Sequence, residues 1–341
     1  MKKTLFIGVA AIAMLASCSN DEVVDQPKGN AIAFSTFVDN ATRVDALTKD
    51  NLWEFDVYGF VEDMNGKLFD QERVSKDESG KWTYEHPQYW IADKSYWFQA
   101  FAPNSANYTF TAPTGNLPTG EAGTVSFSNS GLYDFCVATA NQIGKATGNT
   151  PVPFTFKHLL SRVKFTFANG FDSNNITIVV SNVLLKDVHS QGTMDLGTNT
   201  WTVTGGKGNM DMLYRFGTRY NEETTGTIAK DGSVASEYKF LIPANPLLAD
   251  DNSKLSYRLA FKVQVYQSGV KVWDAPKEYN AYLPAIMEDG ASVGFKRSYS
   301  YNFTVTLNND NTLNGEPIEF TVTDVEAWGG DNAGTVTIPE I

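Results

Sequence analysis

Two thiols and three imidazoles are the chain's candidates for covalent or metal chemistry. Cys18 closes an apolar run near the N-terminus, where a leader of that kind would deliver a thiol to a membrane for acylation. Cys136 lies in Tyr133-Asp134-Phe135-Cys136-Val137-Ala138, and a lone cysteine in such a strand is ordinarily a small buried hydrophobe. A nucleophile there would need a base, and no histidine stands near it in sequence. His86, His158 and His189 are far apart and share no metal-ligand spacing. H-E-x-x-H, C-x-x-C and the phosphate-loop pattern do not occur. Gly205-Gly206-Lys207-Gly208 lacks the spacing of a nucleotide loop and reads as a turn. Asp250-Asp251-Asn252-Ser253 offers oxygens but not the ligand set of a calcium-binding loop. Glycosidase acids come from distant strands, so 39 acidic residues always permit some pair, and nothing singles one out. Trp82, Trp90 and Trp97 are candidates for a sugar platform, although strand tryptophans usually face a core. These residues predict no catalytic site, no metal site and no cofactor, and the chain is expected not to be an enzyme.

The N-terminus carries the clearest signal. Met1-Lys2-Lys3 is basic, and Thr4 to Ala16 is almost wholly apolar. This is the layout of a secretory signal peptide over residues 1–17, too short for the roughly 20 residues that span a bilayer. Leu15-Ala16-Ser17-Cys18 resembles the bacterial lipobox, in which a peptidase cuts before the cysteine and the thiol is acylated. Each buried CH₂ of an acyl chain contributes about 0.8 kcal/mol, so two or more chains anchor stably. Residues 18–30 are polar, acidic and contain Pro and Gly, which predicts a solvated tether. Its acidic cluster resembles an export signal of surface lipoproteins, and reads equally well as a plain linker. The net charge of −12 repels nucleic acid and anionic headgroups, and no Lys/Arg run with interleaved aromatics appears. Acylation of Cys18 leaves Cys136 without an intrachain disulfide partner, so stability must come from the core.

Those residues are set among short strands. Alternation of period two runs through Glu54 to Glu62, Arg162 to Phe167 and Tyr299 to Leu307. Asn65-Gly66 has the chemistry of a tight hairpin turn, and Leu259–Tyr266 pairs naturally with Val270–Trp273 across Gln267-Ser268-Gly269. Asn175–Val180 and Val183–Val188 read as successive strands. No long segment has helical spacing, and any helix is expected to be a short connector near Leu47 to Trp53. The fold class is all-β. The length predicts two tandem β-sandwiches, an N-terminal one over 31–157 and a C-terminal one over 158–341.

Several segments together resemble the fimbrillin-like family of surface lipoproteins, the type V pilus subunits and their Mfa-like relatives. They are the lipobox at Cys18; Ile32-Ala33-Phe34; Thr42-Arg43; Phe55-Asp56-Val57-Tyr58-Gly59-Phe60; Trp82-Thr83-Tyr84 with Trp90; Tyr96 to Pro103; Phe156 to Val163; and Val325 to Trp328. Their order and spacing over nearly the whole chain carry the likeness. The resemblance implies two transthyretin-like sandwiches and a fimbrial subunit or cell-surface adhesin, exported as a lipoprotein and assembled by strand exchange. Its partners would be other fimbrial subunits, and the outer membrane through the lipid on Cys18. In that family a trypsin-like protease removes the N-terminal segment with the lipid, and another subunit's strand fills the groove left behind. Ala31 to Val38, with Ile32, Phe34 and Phe37 or Val38 inward, is then the candidate first strand, and Arg43 the candidate processing site. Arg43 could equally be a surface arginine on an anchor-type member that keeps both lipid and strand. Asn332 to Ile341 is either a donor strand or a native edge strand. The alternative function is a surface glycan-binding lipoprotein.

Overall fold

The structure is a computed structural model that describes residues 30–38, 47–48, 50–64, 66–113, 122–144, 150–203, 209–218, 221–244, 257–284, 286–288 and 291–327. It is all-β, as the alternation predicts. Cys18, Arg43, Asn65, Gly205 to Gly208, Asp250 to Ser253 and the segment from Asn332 lie outside the described residues.

The first thirteen strands are β1 Phe34–Val38, β2 Glu54–Val61, β3 Phe69–Lys76, β4 Trp82–Thr83, β5 Ser95–Ala102, β6 Tyr108–Thr111, β7 Thr124–Ser128, β8 Cys136–Ile143, β9 Val152–His158, β10 Ser161–Asn169, β11 Ile176–His189, β12 Gln191–Asp195 and β13 Thr200–Val203. Seven of them form one sheet in the order β1-β9-β8-β5-β2-β3-β4. In β9 the alternation is strict: Val152, Phe154, Phe156 and His158 are buried, while Pro153, Thr155 and Lys157 are exposed. The central strand β5 is buried on both faces. Tyr96, Phe98, Ala100 and Ala102 point to an aromatic core that also holds Phe55 and Phe154. Trp97 and Phe101 point to the other side, where β6, β7, β12 and β13 form a second sheet.

That second sheet lays Phe110, Val125, Phe127 and Met194 against Tyr58, Phe60, Trp97 and Phe101. Its outer face is a ladder of hydroxyls in register, Thr109, Ser126, Thr193 and Thr202. The hairpin of β12 and β13 follows β11 in sequence yet pairs with β7, and the Trp201 indole donates to the Leu159 carbonyl at 2.9 Å.

A third core lies between a five-stranded sheet built on β10 and a six-stranded sheet built on β11. Strand Tyr299–Leu307 runs parallel to β10 over eight register pairs. Phe320 sets its ring edge-on to Phe165, Phe167 and Phe261. The two strands expected at 175–188 form one fourteen-residue strand, β11. Asn182 and Asp187 sit there at φ 50° and 56°, with register breaks beside each. Asn and Asp tolerate that backbone region, and each extra residue shifts the inward set. The buried positions therefore move from Ile178 and Val180 to Val183 and Leu185, then to Val188. The gap between the two expected strands is a bulge, not a chain reversal, and a second bulge lies at Asp187.

The hairpin across residues 267–270 forms as expected, with Ser268 at φ 52° and Gly269 at φ 79° as its two turn residues. Among the described residues of Leu47 to Trp53 no helix forms. The Leu52 N–H donates to the Thr48 carbonyl at 2.9 Å, and the Thr48 N–H is taken by the Asn51 side chain. Such local side-chain bonds compete with a helix, and a single turn results. Among the described residues the one helix is Asn309–Thr312.

Candidate functional site

The first candidate is the seat of the N-terminal strand. β1 pairs in parallel with β9, Phe34 opposite Val152 through Val38 opposite Phe156. Parallel neighbours so distant in sequence have no hairpin to tie them, so the strand is held only by what its seat provides. Just before β1, the Ile32 N–H donates to the Gln88 carbonyl at 2.8 Å, and the Trp90 N–H donates to the Asn30 carbonyl at 3.1 Å. The Asn30 amide in turn donates to the Trp90 carbonyl, and the Tyr84 hydroxyl to the Ile32 carbonyl. Residues 84–90 follow β4, the far edge of the sheet, so the segment bridges the two edges of a curled sheet.

Alternation sends Asn30, Ile32 and Phe34 inward and leaves Ala31 and Ala33 outside. Ile32 is 1% exposed and Phe34 5%. The Phe34 ring lies edge-on to Phe55, Phe69, Tyr84 and Phe98 and stacked on Phe154, with centroids 5.5–6.2 Å away. Burying two such side chains contributes roughly 1.5–3 kcal/mol each. Without residues 30–38 the sheet would have an open edge of backbone groups above an aromatic lining. Such an edge is a template for another strand.

A second cluster lies at the end of β8 and β9, where Cys136 and His158 are register partners. The Cys136 Sγ is 3.2 Å from His158 Nδ1, which is 2.7 Å from Asp134 Oδ2. All three residues are buried, and Asp134 Oδ2 also accepts the Leu47 N–H at 3.0 Å. Burial pushes the Cys136 thiol well above its ordinary pKa, and the neighbouring Asp134 charge adds to the rise. Cys136 is thus the buried residue that its strand predicts. No histidine stands near it in sequence, yet one stands beside it in space, because the partner comes from the adjacent strand. Cross-strand register is the signal that finds it, and spacing within one segment cannot.

The tryptophans do not form an exposed platform. Trp90 is 4% and Trp97 5% exposed, both built into cores, and Trp82 packs half-buried on Phe55 and the Lys76 ammonium. Trp53, at 62% exposed, is the open indole of that group. His86 is exposed and pairs with Glu72 at 3.0 Å, while His189 is buried at the end of β11. A shallow recess of about 350 Å³ over the hydroxyl face is lined by Tyr108, Ser126, Gln191, Thr193 and Thr202. Gly290-Ala291-Ser292-Val293-Gly294 spells the letters of a hydrolase G-x-S-x-G turn. That chemistry needs a sharp strand-to-helix elbow, and residues Ala291–Val293 are a strand paired with Ile286–Glu288.

The family model described as fimbrillin-like matches residues 42–324. The chain belongs to the fimbrillin-like family. The matched span begins just after β1, so the fimbrillin-like match covers β2 through the strand Tyr299–Leu307 and leaves the first strand outside it. No curated protein matches the chain in sequence. Among solved structures, a fimbrial protein from Bacteroides vulgatus is similar at 15% identity, covering 88% of this chain and 99% of that one, with a TM-score of 0.57. A candidate cell adhesion protein from Bacteroides ovatus is 15% identical over 90% of this chain and 100% of that one, with a TM-score of 0.49. At such identities the likeness to the Bacteroides vulgatus structure is one of fold. Family membership gives the coarse assignment, a fimbrial protein of the fimbrillin-like family.

Proposed function

We propose that this fimbrillin-like chain is a fimbrial subunit or surface adhesin that is exported as a lipoprotein, acylated on Cys18, and assembled by β-strand exchange. The observation that carries this reading is the seat of residues 30–38. They are bonded to both edges of one curled sheet, their inward side chains fill an aromatic core, and their contacts are long-range. Cleavage after Arg43 would separate this segment, with the lipid, from everything that follows. The vacated seat would then accept a strand of a second copy or of another fimbrial subunit, with main-chain bonds for affinity and the Ile32 and Phe34 positions for register. The division at 157/158 belongs to the same proposal. It falls just before His158, the last residue of β9, and the β12–β13 hairpin reaches back to brace the N-terminal half.

Limited digestion of the purified precursor with trypsin tests it. The expected result is cleavage after Arg43 followed by ladders of oligomers. Cleavage at that site with the chain remaining monomeric would remove the strand-exchange role. No second reading is favoured, because two of the three candidate platform tryptophans are core residues.

A further inference from the structure

We propose that Asp134, Cys136 and His158 form a binding site for a divalent transition-metal ion, zinc by the chemistry of its donors. A thiolate, an imidazole nitrogen and a carboxylate together make a mixed S/N/O set typical of four-coordinate zinc. The three donor atoms all lie within 4.8 Å of one another. Their separations are 2.7 Å for His158 Nδ1 to Asp134 Oδ2, 3.2 Å for Cys136 Sγ to His158 Nδ1 and 3.6 Å for Cys136 Sγ to Asp134 Oδ2. Zinc bonds of about 2.0–2.3 Å at tetrahedral angles set donors roughly 3.3–3.7 Å apart. The Cys136–Asp134 separation already fits, the Cys136–His158 pair falls short by about 0.1 Å, and the His158–Asp134 pair must open by about 0.6 Å on that scale.

A second observation points to a ligand. The other carboxylate oxygen, Asp134 Oδ1, is fully buried and has no hydrogen-bond partner. An orphan carboxylate oxygen in a core bears its desolvation cost without a compensating bond. A bidentate bond to the ion would satisfy it and supply the fourth donor. The Leu47 N–H to Oδ2 bond orients the carboxylate, as outer partners of metal ligands do. Charge also balances. When the ion binds, the Cys136 thiol loses its proton to solvent, the imidazole presents Nδ1 as a lone pair with its proton on Nε2, and thiolate plus carboxylate neutralise the dication. A buried site of zero net charge avoids the desolvation cost of an unpaired ion. The ion would pin β8 to β9 and, through Leu47, hold the chain that follows the Arg43 segment. The site does not depend on strand exchange.

The test uses the full chain carrying Cys18→Ser, in which Cys136 is the sole thiol. Cobalt(II) is titrated as a spectroscopic probe, followed by zinc. The expected result is a thiolate-to-cobalt charge-transfer band in the near ultraviolet, saturating at one ion per chain and lost when zinc is added. Zinc should also slow alkylation of Cys136 in the folded protein. Cys136→Ser should abolish the band, and His158→Gln, which removes a direct ligand, should weaken binding by more than the roughly 10–100-fold that loss of an outer partner costs. If either variant fails to fold, the titration of the parent decides alone. No sulfur band at millimolar cobalt, or zinc bound without protection of the thiol, would overturn the proposal.

Discussion

Phe34→Ala would empty the centre of the N-terminal seat. The ring touches five aromatic neighbours and is 5% exposed. Truncating a core phenylalanine to alanine costs about 3–5 kcal/mol, part lost burial and part cavity. β1 has no hairpin partner, so this loss falls first on the local opening of residues 30–38 rather than on the whole fold. At 1.36 kcal/mol per tenfold, the open population of that segment should rise by roughly 2.2 to 3.7 decades. Native-state hydrogen exchange of the Phe34 to Val38 amides reads this directly. Amides of the third core, in β10 and β11, should change little. Thr36→Ala, at a half-buried position of the same strand, should shift stability by no more than about 0.5 kcal/mol. If Phe34→Ala leaves β1 exchange within threefold of the parent, or loosens β10 and β1 equally, then the strand is not an independently removable element.

Two further outcomes concern charge. Burial raises the pKa of Asp56 above its ordinary value, partly offset by hydrogen bonds from Tyr108 and Gln71. The folded state therefore holds that proton more tightly than the unfolded one, and stability falls as pH rises from the ordinary aspartate range through the folded pKa. Asp56→Asn should flatten that decline in urea melts taken across the acid range, and an unchanged slope would contradict it. The hydrogen bond to Glu72 raises the pKa of exposed His86, so its favourable pairing is present below the ordinary histidine value and fades as pH rises through the raised one. In an NMR titration, Glu72→Gln should bring the His86 midpoint back down, and an unmoved midpoint would show that the pair does not form in solution.

The strands were legible where one face is buried. β9 alternates at every position, and the hairpin at 267–270 announces itself through Ser268-Gly269. Legibility ended where a local rule was overridden. Asn182 read as a break because a bulge imitates a turn in sequence, while the second bulge, at Asp187, lay unseen inside an expected strand. The aromatic run of β5 does not say which ring goes to which core, since both faces are buried. The return of the β12–β13 hairpin to β7 is a long-range pairing with no local signature. The same limit hid the thiol cluster: Cys136 and His158 meet only through the register of β8 and β9. The inward phase of the first strand, by contrast, follows from Ile32 and Phe34 alone, and Phe34 takes up that place against five rings.

N-terminal sequencing of the form recovered from the cell surface tests the central claim most directly. Strand exchange after processing predicts assembled fibres whose subunits begin at Val44, the residue after Arg43. Fibres whose subunits all begin at an acylated, blocked Cys18 and still carry residues 30–38 would contradict it.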